Sequence, residues 1–337
     1  MIFKITDYIE PDLVWEEKEC EKLGVEFTHY QMKDAGADEI IRNVRDAEVI
    51  LVNMAKFNAG VIENLPNLKV LIRHGIGYDN VDVPAVTGQG IIFANEATAS
   101  SVDVAEHAIM LMFGAYRKIR LQNEIVRDSP GNAEYEFRKT NPLYRIEGKT
   151  LGIVGCGNIG SVVLRKMQSF GFERILVCDP YLPADRLSEL GFVHTPLDEL
   201  LRESDIVTIH VPLNDETRHL FNYERFASMK KSAVIVNTAR GPIVHTDDLA
   251  RALDDGLIAG AGLDVMEPEP PKTGCGLLDM SNAVLTPHHA WYSEEGGWDI
   301  RNMIIDDLKG VLNGKLPKHV INYEVLDRPN LRIHLDK

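Results

Sequence analysis

The sequence predicts an α/β protein built from two parallel-sheet units. Short apolar runs alternate with amphipathic stretches along most of the chain, and the alternation starts afresh near Thr150. At 337 residues the chain also has room for two domains of about 100–200 residues, each with its own core.

In the first series, Ile2–Ile5, Val25–Tyr30, Val49–Val52, Lys69–Ile72 and Ile91–Ala94 read as strands. Helix-like segments lie between them at Asp12–Leu23, Asp38–Arg45, Ala59–Asn64 and Val83–Gly88. Such a rhythm implies parallel strands joined by right-handed crossovers.

The stretch from Val102 to Ile125 is different, because VDVAEHAIMLMFGAYRKI is apolar on nearly every face until Arg117. A helix of that kind is normally buried, here between domains or subunits. Asp128–Glu147, with Pro130, Gly131 and Pro142, reads as an irregular connector.

The second series places strands at Leu151–Val154, Ile175–Cys178, Ile206–His210, Val234–Asn237, Ala259–Asp264 and Ala283–Thr286. Its helices are Ile159–Phe170, Asp198–Arg202 and Thr246–Asp255, the last stopped by Gly256. A final helix spans Glu294–Leu312, and the tail Lys315–Lys337 is expected to return to the first domain.

Lys+Arg number 36 against 51 Asp+Glu, a net charge of −15, which argues against non-specific binding to nucleic acid or anionic membrane. An anionic small substrate would need a locally basic site. The four cysteines, Cys20, Cys156, Cys178 and Cys275, form no CxxC pair, so no metal site or disulfide framework is expected. Asp7 and Glu10 fall where a signal peptide would need an apolar core, and Ala108–Tyr116 is too short to span a membrane. These features predict a cytoplasmic enzyme.

LGIVGCGNIG carries Gly155-x-Gly157-x-x-Gly160 between a predicted strand and a predicted helix. Glycines there permit the tight bend, the approach of backbone to a pyrophosphate and close helix–strand packing. The helix N-terminus offers free N–H groups to the phosphates. Asp179 follows the next strand, where an acid binds a ribose 2′-hydroxyl and disfavours the extra phosphate of NADP. The pattern predicts an NAD site; an ordinary β-α turn with a solvated Asp is the simpler alternative.

Arg240, Glu269 and His288 each follow a predicted strand of the second series, where sites form in open α/β sheets. Reducing a 2-oxo acid needs a hydride, a proton donor and a cationic clamp. His288 can exchange the proton, Glu269 can orient it and favour its protonated form, and Arg240 can bind a carboxylate in bidentate fashion. Taken singly, each also fits an unremarkable surface or structural role.

In addition, RHGIGYDNVDV (73–83), SVDVAEHAIMLM (101–112), GIVGCGNIG (152–160), SDIVTIHVPL (204–213), NTARGPIV (237–244), AGAGLDVMEPEP (259–270) and TPHHAWYS (286–293) occur in one order. Through nearly the whole chain the sequence resembles the D-isomer-specific 2-hydroxyacid dehydrogenases. The resemblance implies two doubly wound Rossmann-like domains with parallel sheets, the NAD domain inserted into the substrate domain. Residues 1–100 and 293–337 would form the substrate (catalytic) domain, and 101–292 the NAD domain. The helices Val102–Ile119 and Glu294–Leu312 would be the two crossings and a hinge. A homodimer joined through the cofactor domain is also implied.

The same resemblance implies that Arg240, Glu269 and His288 are the catalytic set. It assigns NAD contacts to the Gly155–Gly160 loop with Asn158 and Ile159, to Asp179 and Pro180, and to His210, Val211 and Pro212. Thr217, Thr238, Ala239, Arg240, His288 and Asp264, the last on the nicotinamide side, complete that set. Gly75, Ile76 and Gly77 would offer backbone N–H groups to the substrate carboxylate.

AWYS after His288 resembles the C-terminal-binding-protein branch, in which a residue matching Trp291 lines the substrate pocket. That implies an apolar or thioether side chain on the acid; hinge packing is the other role open to Trp291. His289 replaces a usually small residue and is expected to face solvent. Gly296-Gly297 would delay the final helix to near Trp298, since glycine costs about 1 kcal/mol in a helix. The alternatives are an NAD(H)-sensing binding protein with weak turnover, a phosphite dehydrogenase and a phosphoglycerate dehydrogenase.

Overall fold

The computed structural model describes residues 1–129, 135–182 and 192–335. The chain divides into two compact units, Met1–Ser100 with Ser293–Lys337, and Ser101–Tyr292.

In the first unit the strands are β1 (Ile2–Ile5), β2 (Glu26–His29), β3 (Val49–Val52), β4 (Val70–Arg73) and β5 (Ile92–Asn95). They pair in parallel in the order β2-β1-β3-β4-β5. The connecting helices are α1 (Val14–Leu23), α2 (Ala37–Val44), α3 (Ala59–Ile62) and α4 (Val83–Gly88). β3 shows why the sheet is covered twice. Val49 and Leu51 join a core that contains Ile300, Ile304 and Leu308, while Ile50 and Val52 join the α2–α4 core. Alternate strand residues point to opposite faces, so an uninterrupted apolar strand needs helices on both sides.

The helix Glu294–Leu312 starts at Glu294, not near Trp298. Ser293 caps it, its Oγ accepting from Gly296 N–H at 2.8 Å, and Glu294 and Glu295 face the positive end of the dipole. Those gains outweigh the helix propensity of the two glycines. The tail packs on its own unit, with Phe93 N–H donating to Asn322 Oδ1 at 2.8 Å.

In the second unit the strands are β6 (Thr150–Val154), β7 (Arg174–Cys178), β8 (Val193–His194), β9 (Ile206–Ile209), β10 (Val234–Asn237), β11 (Gly260–Leu263) and β12 (Ala283–Leu285). Every pair is parallel, in the order β12-β11-β10-β9-β6-β7-β8. Here α5 (Ser101–Tyr116), α6 (Ile119–Arg127) and α7 (Asn158–Met167) precede α8 (Leu197–Glu203), α9 (Tyr223–Ser228) and α10 (Thr246–Asp254). The sheet again has a core on each face, one holding Ile235 and Leu263, the other Val234 and Val236.

The long helix expected over Val102–Ile119 ends at Tyr116, and Lys118 turns left-handed at φ 53° before α6 begins. Nor is it buried all round. Leu111 and Met112 are fully covered, whereas Val102, Met110, Ile119 and Val126 are about half exposed. Phe137–Thr140 of the expected connector forms a 3₁₀ turn; Pro130 and Gly131 lie outside the described residues. Among the described residues no helix is long and apolar enough to cross a membrane.

Candidate active site

β6 runs straight into the glycine loop. Gly155 has φ 90°, and a Cβ on it would come within 2.8 Å of the His210 backbone, so only glycine fits. Gly157 caps α7, and a Cβ there would meet nothing within 4 Å. The space beside Gly157 at the start of α7 is thus open, and a helix N-terminus of this kind suits a phosphate. Gly160 lies buried in the first turn.

Asp179 follows β7. Its Oδ2 accepts from Cys156 N–H at 2.8 Å and its Oδ1 from Tyr181 N–H at 3.0 Å, which holds the carboxylate against the glycine loop. Pro180 beside it is exposed. His210 follows β9. Burial lowers its pKa to about 3, and its Nε2 lies 2.9 Å from Thr208 Oγ1. His210 Nδ1 and Thr238 Oγ1 are buried without a hydrogen-bond partner. An orphaned buried polar atom costs about 1–3 kcal/mol, so both fit a polar ligand completing them. Val211 and Ala239 are half-buried and Pro212 is exposed. The Thr217 hydroxyl instead closes its own loop, donating to Pro212 O at 2.6 Å and accepting from Asn214 N–H at 2.8 Å.

Strand register brings the three polar candidates to one edge. Asn237, Leu263 and Leu285 stand level on β10, β11 and β12. Arg240 lies three residues past the first, Glu269 six past the second and His288 three past the third. Asn237 Nδ2 donates to Arg240 O at 2.9 Å and Asn237 Oδ1 accepts from Ala239 N–H at 3.0 Å, folding the turn that carries the arginine. His288 Nδ1 is hydrogen-bonded to Glu269 Oε1. Its backbone is left-handed, at φ 54°. A histidine held there costs of order 1–3 kcal/mol, which the surroundings must supply.

Much of that support comes from Asp264. It is 2% exposed, and its carboxylate turns inward. Oδ1 accepts from Thr286 Oγ1 at 2.6 Å and His289 N–H at 3.0 Å, and Oδ2 from Ala290 N–H at 2.9 Å. Asp264 O also accepts from His288 N–H at 2.8 Å. Asp264 thus grips the turn on which His288 stands. Because the Thr286 hydroxyl gives its proton to Asp264, it can only accept from His107 Nε2, 2.9 Å away on α5. His107 is held below the usual histidine range, chiefly by burial. Sequence reasoning missed His107 and Thr286, which lie 179 residues apart.

In the same unit, Trp291 is half-buried and stands edge-on to Tyr292 at 5.3 Å. His289 is exposed and stacks on Tyr292 at 4.9 Å. In the first unit, Gly75-Ile76-Gly77 follows β4, with Gly75 at φ 106°. Asn95 Nδ2 donates to Ile76 O at 2.6 Å and Glu96 N–H to Gly75 O at 3.3 Å. The carbonyls are thereby tied inward.

A glycine loop after the first strand of a parallel sheet, an acid after the next strand and a histidine–glutamate pair at the same sheet's edge define a nicotinamide-dinucleotide-dependent dehydrogenase. Residues 109–290 match the NAD binding domain of the D-isomer-specific 2-hydroxyacid dehydrogenases. The chain belongs to that family, and NAD is the cofactor of its dinucleotide domain. It is 38% identical over 321 residues to a glyoxylate reductase of Thermofilum pendens, covering 92% of this chain and 91% of that protein. To a D-3-phosphoglycerate dehydrogenase of Methanocaldococcus jannaschii it is 38% identical over 287 residues, which cover 85% of this chain. The chain spans about half (53%) of that longer relative. The D-lactate dehydrogenase of Aquifex aeolicus, complexed with NAD and lactic acid, superposes with a TM-score of 0.83 at 28% identity, covering 95% of this chain and 98% of that one.

Proposed function

We propose that this chain interconverts a 2-oxo acid and a D-2-hydroxy acid, with Arg240, Glu269 and His288 as its catalytic set. The observation that carries the reading is the His288–Glu269 hydrogen bond at the strand edge that also bears Arg240. When bound, NAD(H) supplies or accepts the hydride. With Glu269 ionised, the bond makes His288 Nδ1–H the donor and leaves Nε2 to exchange a proton with the substrate oxygen. Glu269 stabilises the imidazolium that the reductive direction consumes. Arg240 pairs with the substrate carboxylate and polarises the carbonyl, which requires a fixed cation in a chain of net charge −15.

The mouth of α7, Asp179, His210 and Thr238 hold the dinucleotide in this reading. Trp291, with the rings of His289 and Tyr292, provides an apolar wall for the acid's side chain. The half-exposed Val102, Met110, Ile119 and Val126 suit burial against a second copy, so the reading includes a homodimer. It also includes a cytoplasmic setting, which the four free cysteines suit.

The test is NADH oxidation by purified protein with 2-oxo acids from glyoxylate and pyruvate to branched, thioether and aromatic ones. NAD reduction with phosphite and with phosphoglycerate is run beside it. Turnover of an apolar 2-oxo acid supports the reading. Turnover of phosphoglycerate alone, itself a D-2-hydroxy acid, keeps the reaction and replaces the apolar side chain, turnover of phosphite alone replaces the reading, and tight NADH binding without turnover favours a cofactor-sensing binding protein.

A further inference from the structure

Two histidines of the second unit have left-handed backbones, His219 at φ 50° and His288 at φ 54°. Each is bonded to a glutamate of the same short turn, Glu267-Pro268-Glu269. His288 Nδ1 meets Glu269 Oε1, and His219 Nε2 meets Glu267 Oε2 at 2.6 Å. Arg218 Nη1 lies 3.5 Å from the other oxygen of Glu267.

The turn belongs to no strand or helix, so its side chains are aimed by local contacts alone. Glu267 carries most of those contacts. Its N–H donates to Thr246 Oγ1 at 3.1 Å, and its carboxylate is gripped by His219 and Arg218. His219 is itself laced in place. Its N–H donates to Pro242 O at 2.7 Å, and its ring stands edge-on to His245 at 4.7 Å. His245 N–H donates to Phe221 O at 2.9 Å, and His245 Nδ1 lies 3.2 Å from Asp248 Oδ2. This strap thus ties the loop that follows Arg240 to the turn that carries Glu269.

Two carboxylates two residues apart repel each other. Pairing Glu267 with His219 and Arg218 offsets that repulsion and fixes the turn from which Glu269 meets His288. A non-glycine residue at φ 50° is disfavoured, so the His219–Glu267 bond must repay local strain.

We propose that His219 is a positioning residue: it fastens Glu267, and with it the turn that holds Glu269 against His288. The proposal deepens the dehydrogenase reading, but its first readout does not need activity. The groups facing His219 are Glu267, Arg218 and His245 with Asp248 behind it; the group facing His288 is Glu269.

The experiment is an NMR titration of full-length protein labelled at histidine Cε1, with the His288 signal assigned by His288→Gln. In His219→Gly, whose glycine accepts the left-handed backbone, His288 is expected to titrate at least about half a pH unit lower, roughly a threefold weaker proton affinity. His219→Asn tolerates the same backbone and can donate to Glu267, and it is expected to recover at least half of that shift. In an active enzyme the alkaline limb of 2-oxo acid reduction moves down with it, while NADH affinity stays constant. A purely structural His219 would lower the melting temperature and leave the His288 midpoint unmoved, which overturns the proposal. The same two outcomes are read in His219→Ser, too short to reach Glu267, should the glycine variant not fold. Absence of dehydrogenase activity would sink the catalytic reading while the NMR result still decides the role of His219.

Discussion

Asp264 Oδ2 accepts a hydrogen bond from Ala290 N–H at 2.9 Å, across 26 residues of sequence, and so fixes the turn on which His288 stands. Asp264→Asn would put an amide NH₂ or a weaker neutral acceptor against N–H donors. The expected result is a fall in kcat/KM of about 10²-fold, the scale of a misplaced catalytic group. NADH affinity is expected to change by less than about threefold, because the carboxylate faces inward. Stopped-flow NADH binding beside steady-state rates checks both. A large loss of NADH affinity at constant kcat would return Asp264 to the cofactor.

Arg240→Ala is expected to lower kcat/KM for a 2-oxo acid by about 10²–10³-fold while NADH still binds, since a charged partner of the carboxylate is removed. Fluorescence titration with NADH and turnover with the best acid of the panel measure the two separately. Undiminished turnover would remove Arg240 from the site.

Asp179 Oδ2 holds Cys156 N–H of the glycine loop, so Asp179→Ala should weaken NADH and NADPH alike through the loop. In the proposed function the acid also stands beside the ribose. Its loss is therefore expected to move the NADH:NADPH affinity ratio toward NADPH by about tenfold, since a like-charge repulsion disappears. An unchanged ratio of dissociation constants would show that Asp179 only supports the loop.

Much of the fold was legible because each central strand is an apolar run. Val49–Val52 and Val234–Asn237 need no context to read as buried, and both ends match the structure. The two-residue β8 at an exposed edge carries no such signal. The break at Lys118 was illegible because apolar periodicity says nothing about one residue's backbone sign. The Ser293 cap starts the last helix at Glu294 although the low helix propensity of Gly296 and Gly297 points to a later start. At the candidate site, glycine spacing and strand-end position are local, so the sequence alone places Gly155, Asp179, Arg240 and His288 at the ends of strands, as the structure has them. The supports of His288 could not, because His107, Thr286 and Asp264 meet only after the sheet has formed. His219 was hidden for a different reason: nothing in a histidine codon pattern announces a left-handed backbone.

Glu96 follows β5 in the first unit and is 0% exposed, with neither carboxylate oxygen hydrogen-bonded. Burial, aided by Asp307 and opposed by Lys318, raises its pKa from 4.5 to about 8. Asp307 itself is raised to about 6, mainly by burial. A carboxyl raised on folding binds its proton more tightly in the native state. Stability is therefore fully retained below pH 4.5, falls as pH climbs from 4.5 to about 8, and stays reduced above that. The whole effect is up to about 5 kcal/mol, from roughly 1.36 kcal/mol per unit. Glu96→Gln keeps the shape and cannot ionise. Its melting temperature should track the natural protein near pH 4 and exceed it progressively toward pH 8, with the gap constant above pH 9. Thermal melts across pH 4–9 measure this gap. A gap that is the same at every pH would mean Glu96 is no more costly ionised than neutral, and that the Gly75–Gly77 loop it braces rests on a charge the fold already accommodates.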